Sequence, residues 1–195
     1  MLVEWAKFTE KGLPGLQSMP GLSAGRKKAS VTIGVFDGVH RGHRALIERV
    51  VSHNAENTPV VITFRENHKS GKQADNIQTF EEKTAMLESL GVKIILVIDF
   101  TESFKRMAGI NFFEIITNRC DIGFFTVGSA FRCGYQLDTD ASAIQKFFAL
   151  RGIPVEIIPE VLEDSLPISS SRIRAAIAAG NIKLAETMLG RPLNG

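Results

Sequence analysis

The chain has 195 residues, of which 44% are hydrophobic, and its formal net charge is +2. This length and composition predict one domain with an ordinary core, and the near balance of charge does not favour nucleic acid or a membrane surface as a partner. The sequence shows neither a signal peptide nor a run of about 20 apolar residues, so we expect a cytoplasmic protein. Two isolated cysteines, Cys120 and Cys133, predict reduced thiols instead of a disulfide framework or a zinc site.

Strand and helix patterns alternate along the chain after an N-terminal part that we expect to be irregular, 1–29. Short apolar runs rich in β-branched residues predict buried strands. The runs between them have helical periodicity, and Thr79 and Glu82 are spaced as a capping box. The predicted strands are 30–36, 59–64, 92–98, 122–127 and 154–159, and the predicted helices are 43–51, 79–91, 111–120, 140–152, 169–181 and 182–192.

This alternation predicts an α/β fold, an open parallel sheet of about five strands with helices on both faces. We expect the strand order 3-2-1-4-5. Such sheets bind ligands beyond the carboxyl ends of their strands, where the strand order reverses. The segments 34–43 and 127–134, which follow the first and fourth strands, should therefore face one cleft.

The segment "GVFDGVHRGH" lies where the first strand passes into a helix. Gly34 would let a ligand approach the strand, and Gly38 and Gly42 permit turn conformations. The free N–H groups of the following helix suit a phosphate, to which protonated His40 and His43 would donate hydrogen bonds. The alternative interpretation is a Gly-Asp turn followed by two solvated histidines.

The segment "SSSRIR" near the C-terminus is a second candidate phosphate site. Ser169 and Ser170 offer hydroxyl and N–H groups at a helix start, and the guanidinium of an arginine adds a fixed fork of donors. The alternative is a helix-capping serine followed by two surface arginines, Arg172 and Arg174.

Both segments carry a family resemblance. The pattern H-x-G-H resembles the signature of nucleotidyltransferases with Rossmann-like folds, and "TIGVFDGVHRGH" resembles the N-terminal FMN adenylyltransferase domain of bacterial FAD synthetase. The segments "EEKTAMLESLGVKIILVIDF", "VGSAFRCG" and "ISSSRIRAAIAAGNIKLAETMLGRPL" resemble the same family in the same order. The resemblance implies a single nucleotidyltransferase domain, 1–195, without the riboflavin kinase domain that usually follows "LGRP".

The resemblance implies transfer of AMP from ATP to FMN, giving FAD and pyrophosphate, by in-line attack of the FMN phosphate on the α-phosphorus. Catalysis of this kind depends on positioning and charge stabilisation. Mg²⁺ would arrive with the ATP, with no metal site on the protein, although Asp37 could help to position it or could simply cap a turn. The implied catalytic residues are His40, His43 and Arg174; the nucleotide-binding residues are Gly34, Phe36, Asp37, Gly38, Gly42, Ser169 and Ser170; the flavin-binding residues are Phe64, Asn67, Gly128, Phe131 and Arg132.

The chain departs from the family pattern on the flavin side. The family's F-x-P-H-P reads "FRENHK" here, with His68 displaced by one position. Ala130 replaces an acidic or amide residue, and Cys133 replaces a phenylalanine. ATP binding is therefore better supported than FMN as the acceptor. The alternatives are a nucleotidyltransferase for another phosphorylated acceptor, such as a pantetheine or sugar-alcohol phosphate, and a non-catalytic flavin- or nucleotide-binding protein.

Overall fold

The computed structural model of the chain describes residues 1–17, 27–65 and 76–193. Within these ranges the strands and helices alternate as expected, and the small strands form two short antiparallel ribbons. The strands are β1 (Leu2–Glu4), β2 (Lys28–Ile33), β3 (Asn57–Phe64), β4 (Ile94–Ile98), β5 (Ile122–Gly128), β6 (Arg132–Cys133), β7 (Thr139–Asp140), β8 (Val155–Ile158), β9 (Leu162–Glu163) and β10 (Leu166–Pro167). The helices are α1 (Trp5–Lys11), α2 (Arg41–Ser52), α3 (Phe80–Ser89), α4 (Glu102–Lys105), α5 (Gly109–Arg119), α6 (Ala141–Ala149), α7 (Ser170–Ala178) and α8 (Ile182–Leu189).

The central sheet is parallel throughout, with the order β1-β4-β3-β2-β5-β8. The predicted strands are β2, β3, β4, β5 and β8, so the predicted order 3-2-1-4-5 is confirmed. The expectation of an irregular segment 1–29 is wrong for residues 2–11, which form β1 and α1, and for its last two residues. Residues 28–29 begin β2, and β1 adds a sixth strand beside β4, with Leu2 opposite Ile95.

The first predicted strand, 30–36, is displaced in the structure to 28–33. The N–H of Gly34 still donates to the carbonyl of Ile62 at 3.1 Å, as the next bond of the sheet would. Phe36 has a φ of +54°, which a strand does not contain, so the backbone turns away there. The last three residues of the predicted strand therefore belong to the loop that leads to α2.

Helices cover both faces of the sheet because successive strand residues point to opposite sides. In β3, Val60 and Ile62 pack with α1, α5 and α6, whereas Val61 packs with α2 and α3. The predicted capping box is confirmed at the start of α3, where Thr79 and Glu82 exchange hydrogen bonds of 2.7 and 3.1 Å. Helices α7 and α8 pack on each other in a third cluster. Among the described residues, no helix has the length and apolar character needed to span a membrane.

Candidate functional site

A cavity of about 400 Å³ opens beyond the carboxyl ends of the central strands. Its wall includes the last residue of β3 and residues that follow β2, β4, β5 and β8, so the segments 34–43 and 127–134 both contribute to it. The strands β2 and β5 are neighbours in the sheet. The predicted cleft between the first and fourth strands is confirmed.

The two histidines of the first motif stand together in this cavity. His40 is the N-cap of α2, and its Nδ1 accepts a hydrogen bond of 3.3 Å from the backbone N–H of His43. Their rings stack, with centroids 3.6 Å apart and an interplanar angle of 16°. A Cβ at Gly42 would come within 3.2 Å of the His40 ring, so glycine at this position lets the ring lie against the helix. The rings of Phe36 and His43 form an edge-type contact, with their centroids 5.1 Å apart.

The surroundings of both histidines favour the neutral imidazole, and donation from a protonated pair to a phosphate stays a prediction. Burial lowers the pKa of His40 to about 4. Burial lowers the pKa of His43 well below its ordinary value, and the neighbouring His40 and Lys83 lower it further, because a second positive charge beside either of them is unfavourable. Because Nδ1 of His40 accepts a hydrogen bond, the neutral ring carries its proton on Nε2. Nδ1 of His43 is buried and has no hydrogen-bond partner among the described residues.

The second motif meets the first at Asp37. Arg174 on α7 donates from a guanidinium nitrogen to Oδ2 of Asp37 at 2.6 Å, and Oδ1 accepts from the N–H of Ile77 at 2.9 Å. The hydroxyl of Ser170 donates to the Asp37 carbonyl at 2.9 Å. Ser169 is the N-cap of α7, as the alternative interpretation expected. Two segments about 130 residues apart are thus joined around one carboxylate that is only 4% exposed.

The two arginines of the second motif point to different places. Arg174 lines the cavity. Arg172 instead donates to the carbonyls of Glu163 and Leu166, at 2.8 and 2.9 Å, and so braces the ribbon formed by β9 and β10. The structure therefore offers only Arg174 of this pair to a ligand in the cavity.

The loop between β2 and α2 is strained and is held by five side chains, of which only Ser170 was a candidate from the sequence. Phe36 and Val39 have φ values of +54° and +38°, which are unusual for non-glycine residues and persist only where the surroundings fix them. Side chains hold each backbone carbonyl from 35 to 38. Thr63 and Lys83 donate to Val35, Gln78 to Phe36, Ser170 to Asp37, and Arg191 to Gly38.

The remaining predicted nucleotide-side residues have different positions relative to the cavity. Gly34, Phe36, Gly42, Ser169 and Ser170 line it, whereas Asp37 and Gly38 are not among its lining residues. At Gly34 an added Cβ would stand 3.1 Å from the Phe36 ring, so that ring takes the space the glycine leaves. The ligand-binding roles of these residues stay predictions.

On the predicted flavin side, Phe64, Gly128, Phe131 and Arg132 line the cavity, and Asn67 and His68 lie outside the described residues. Arg132 donates to the Leu137 carbonyl at 3.3 Å. An aromatic wall beside them was not predicted from the sequence. Its members are Phe100, Phe104 and Phe112, with Phe64 beside them, at ring-centroid distances of 5.7–6.1 Å.

Both carboxylate oxygens of Asp37 accept hydrogen bonds, from the N–H of Ile77 and from Arg174, and a part for Asp37 in positioning Mg²⁺ stays a prediction. In the parts of the chain that the structure describes, no three His, Cys, Asp or Glu side chains are grouped closely enough to hold a metal ion.

The sequence is similar to proteins of one family. The family profile for FAD synthetase matches residues 23–172. The bifunctional riboflavin kinase/FMN adenylyltransferase of Escherichia coli (strain K12) is 31% identical over 169 residues, which cover 83% of this chain and 54% of that protein. The protein of the same name from Haemophilus influenzae is 28% identical over 170 residues, covering 84% of this chain and 55% of the relative. The chain thus spans about half the length of these curated relatives.

A solved structure has the same fold. The crystal structure described as that of a macrolide-efflux protein from Streptococcus pneumoniae superposes with a TM-score of 0.79 at 26% identity, covering 98% of this chain and 60% of that one.

Proposed function

The chain belongs to the FAD synthetase family, and from this membership we propose that it transfers AMP from ATP to FMN, giving FAD and pyrophosphate. The observation that carries the proposal is the shared cavity. Its lining includes the stacked histidines, Arg174 and an aromatic wall suited to a flat ring. A nucleotide triphosphate and a flavin phosphate bound there would meet at the histidines.

The reaction is a single displacement at phosphorus. An oxygen of the FMN phosphate forms a bond to the α-phosphorus of ATP, while the bond from that phosphorus to the oxygen bridging the β-phosphate breaks. The electron pair leaves with pyrophosphate. No covalent enzyme intermediate is needed, so the protein contributes position and charge stabilisation.

The residues of the cavity suit these two tasks. His40 presents a neutral Nε2–H donor, because its Nδ1 is held by the N–H of His43. A bound triphosphate would raise the pKa of both rings, since a nearby anion favours the charged imidazolium. Arg174 is aimed by Asp37 and adds a permanent positive charge beside the start of α7. Together these donors would stabilise the charge that builds up on the transferring phosphate.

Mg²⁺ would be bound mainly by the phosphates of ATP and by water, as is common for this ion. Its contribution would be to neutralise charge on the triphosphate. The pairing of Asp37 with Arg174 leaves that carboxylate to orient the arginine instead of the metal ion.

A different phosphorylated acceptor is the second candidate, and one observation favours it. Ala130 lines the cavity at the end of β5 with a methyl group that makes no hydrogen bond to a polar ring edge, and the half-buried Cys133 lies nearby in place of a phenylalanine. Both departures fall on the acceptor side, and the nucleotide side is unaffected.

Pyrophosphate release with a panel of acceptors distinguishes the two candidates. The purified protein is mixed with MgATP and, in turn, with FMN, riboflavin, phosphopantetheine and glycerol 3-phosphate. We expect release with FMN alone. Release with another phosphate ester, and none with FMN, would favour the second candidate.

A further inference from the structure

A buried lysine lies beneath the floor of the cavity. Lys83 on α3 is only 6% exposed. Its Nζ donates to the carbonyl of Phe64 at 2.7 Å and to the carbonyl of Val35 at 3.3 Å. Both acceptor residues line the cavity, and they stand at the carboxyl ends of the neighbouring strands β3 and β2. One ammonium group therefore ties together the two strand ends that form the floor.

Stability alone does not account for a charge in this position. Lysine is almost never fully buried unless it is paired, and a buried charge is a weak source of stability. Burial lowers the pKa of Lys83 to about 8. The charge of Asp37 raises this pKa and that of Arg65 lowers it, while the Phe80 ring lies 5.3 Å from Nζ. The folded chain thus keeps a cation where its solvation is poor.

The bond to Val35 controls the start of the loop that carries the histidines. Gly34 makes the last backbone bond to β3, through its N–H and the Ile62 carbonyl. Beyond it, the Val35 carbonyl is held by the side chains of Lys83 and Thr63, the latter at 3.0 Å. The strained part of the loop follows directly and ends at His40, five residues after Val35.

We propose that Lys83 is a positioning residue of this site: its ammonium group fixes the Val35 carbonyl and thereby the placement of His40 and His43 in the cavity. The effect on turnover rests on the proposed function, whereas the effect on histidine placement does not. A misplacement of about 1 Å by a change remote from the chemistry lowers a rate by about 100-fold. The charge of Lys83 also contributes to the lowered pKa of His43.

The test compares Lys83→Met with Lys146→Met, which makes the same substitution at an exposed position on α6. The measurements are kcat and KM for ATP, the ring NMR resonances of His40 and His43 over a pH titration, and the unfolding temperature. For Lys83→Met we expect a kcat at least about 10-fold lower with KM within about threefold, because the histidines are displaced but the nucleotide site remains. The histidine resonances should shift and the pKa of His43 should rise, while Lys146→Met matches the wild type.

Unchanged histidine resonances in a folded Lys83→Met protein would overturn the proposal, even if the unfolding temperature falls. If that variant does not fold, Lys83→Gln removes the ammonium group but keeps a polar side chain at the same position of α3, and it should shift the same resonances. Lys83→Gln with wild-type resonances would equally overturn the proposal. If the wild type makes no FAD, the proposed function fails, and the resonances still decide the role of Lys83.

Discussion

Asp37 and Arg174 form an ion pair of 2.6 Å that joins the loop after β2 to helix α7. The carboxylate is buried, and the side chain of the arginine is 23% exposed at the wall of the cavity. This pair makes the two sequence motifs into one site, because it links the loop that carries the histidines to an arginine of the second motif at the wall of the cavity.

Asp37→Asn should therefore weaken ATP binding through Arg174. The NH₂ group of the amide replaces one of the two carboxylate oxygens that accept hydrogen bonds. The hydrogen bond to the charged Arg174 that is lost is worth about 1.5–3 kcal/mol of unfolding free energy. We expect about 10-fold weaker ATP binding in calorimetry, both with Mg²⁺ and with EDTA. A loss confined to the Mg²⁺ experiment would show instead that Asp37 is a metal ligand.

The two arginines of α7 should respond differently to truncation. Arg174→Ala should lower the affinity for ATP by about 1–3 kcal/mol more than Arg172→Ala, since only Arg174 lines the cavity. Arg172→Ala should mainly loosen the ribbon of β9 and β10, whose carbonyls it binds. Equal losses of ATP affinity in titrations of the two variants would contradict this assignment.

The stacked histidines should affect turnover more than binding. His40→Ala and His43→Ala each remove a donor to the charge that develops on the transferring phosphate, and such a loss typically lowers kcat by about 100-fold to 1000-fold. Steady-state kinetics with varied ATP measures both effects. A normal kcat with a raised KM would make the two residues simple ligands of the ground state.

Acid should destabilise the protein through His40. Its pKa is about 4 in the folded chain and 6.5 in an unfolded one, so the unfolded state binds more protons between these values. Stability therefore falls as pH drops from 6.5 towards 4, by up to about 3 kcal/mol for this group. His40→Asn keeps an N-cap acceptor that does not titrate. In urea unfolding, the drop in unfolding free energy from pH 7 to pH 4.5 should therefore be smaller in this variant than in the wild type, by about 2–3 kcal/mol. Equal acid losses in the two proteins would mean that His40 is protonated in the folded state.

The acceptor side should be improved by a polar residue at 130. Ala130→Asn offers a hydrogen bond to the polar edge of a flavin, worth about 0.5–1.5 kcal/mol or roughly 2-fold to 13-fold in affinity. Flavin fluorescence titration should show tighter FMN binding with unchanged ATP binding. Unchanged or weaker FMN binding would indicate that this loop does not contact the flavin, or that the acceptor is not a flavin.

The sheet was predictable because buried parallel strands appear in the sequence as continuous apolar runs. Right-handed crossovers between such strands allow only a few strand orders. Strand β1 was not, since three residues carry no pattern and their position depends on pairing with β4. The aromatic wall was equally hidden, because phenylalanines in a chain that contains 13 of them suggest core before they suggest a ligand surface.

The contacts that position the site residues could not be predicted from the sequence, for a different reason. The pairing of Asp37 with Arg174 spans 137 positions, and nothing local to either residue reveals it. Lys83 did leave one signal, because it precedes the buried Leu87 by four residues and so shares its helix face. A lysine at such a position is usually taken as a long side chain that reaches solvent, and only the packed structure shows that this one does not.

Formation of FAD tests the central claim most directly. The protein is incubated with FMN, Mg²⁺ and ATP radiolabelled in the adenine ring, and the products are separated by chromatography. We predict that labelled FAD forms together with an equal amount of unlabelled pyrophosphate. The double variant His40→Ala/His43→Ala should form both products far more slowly than the wild type. Wild-type protein that binds both substrates but yields no labelled FAD would contradict the account.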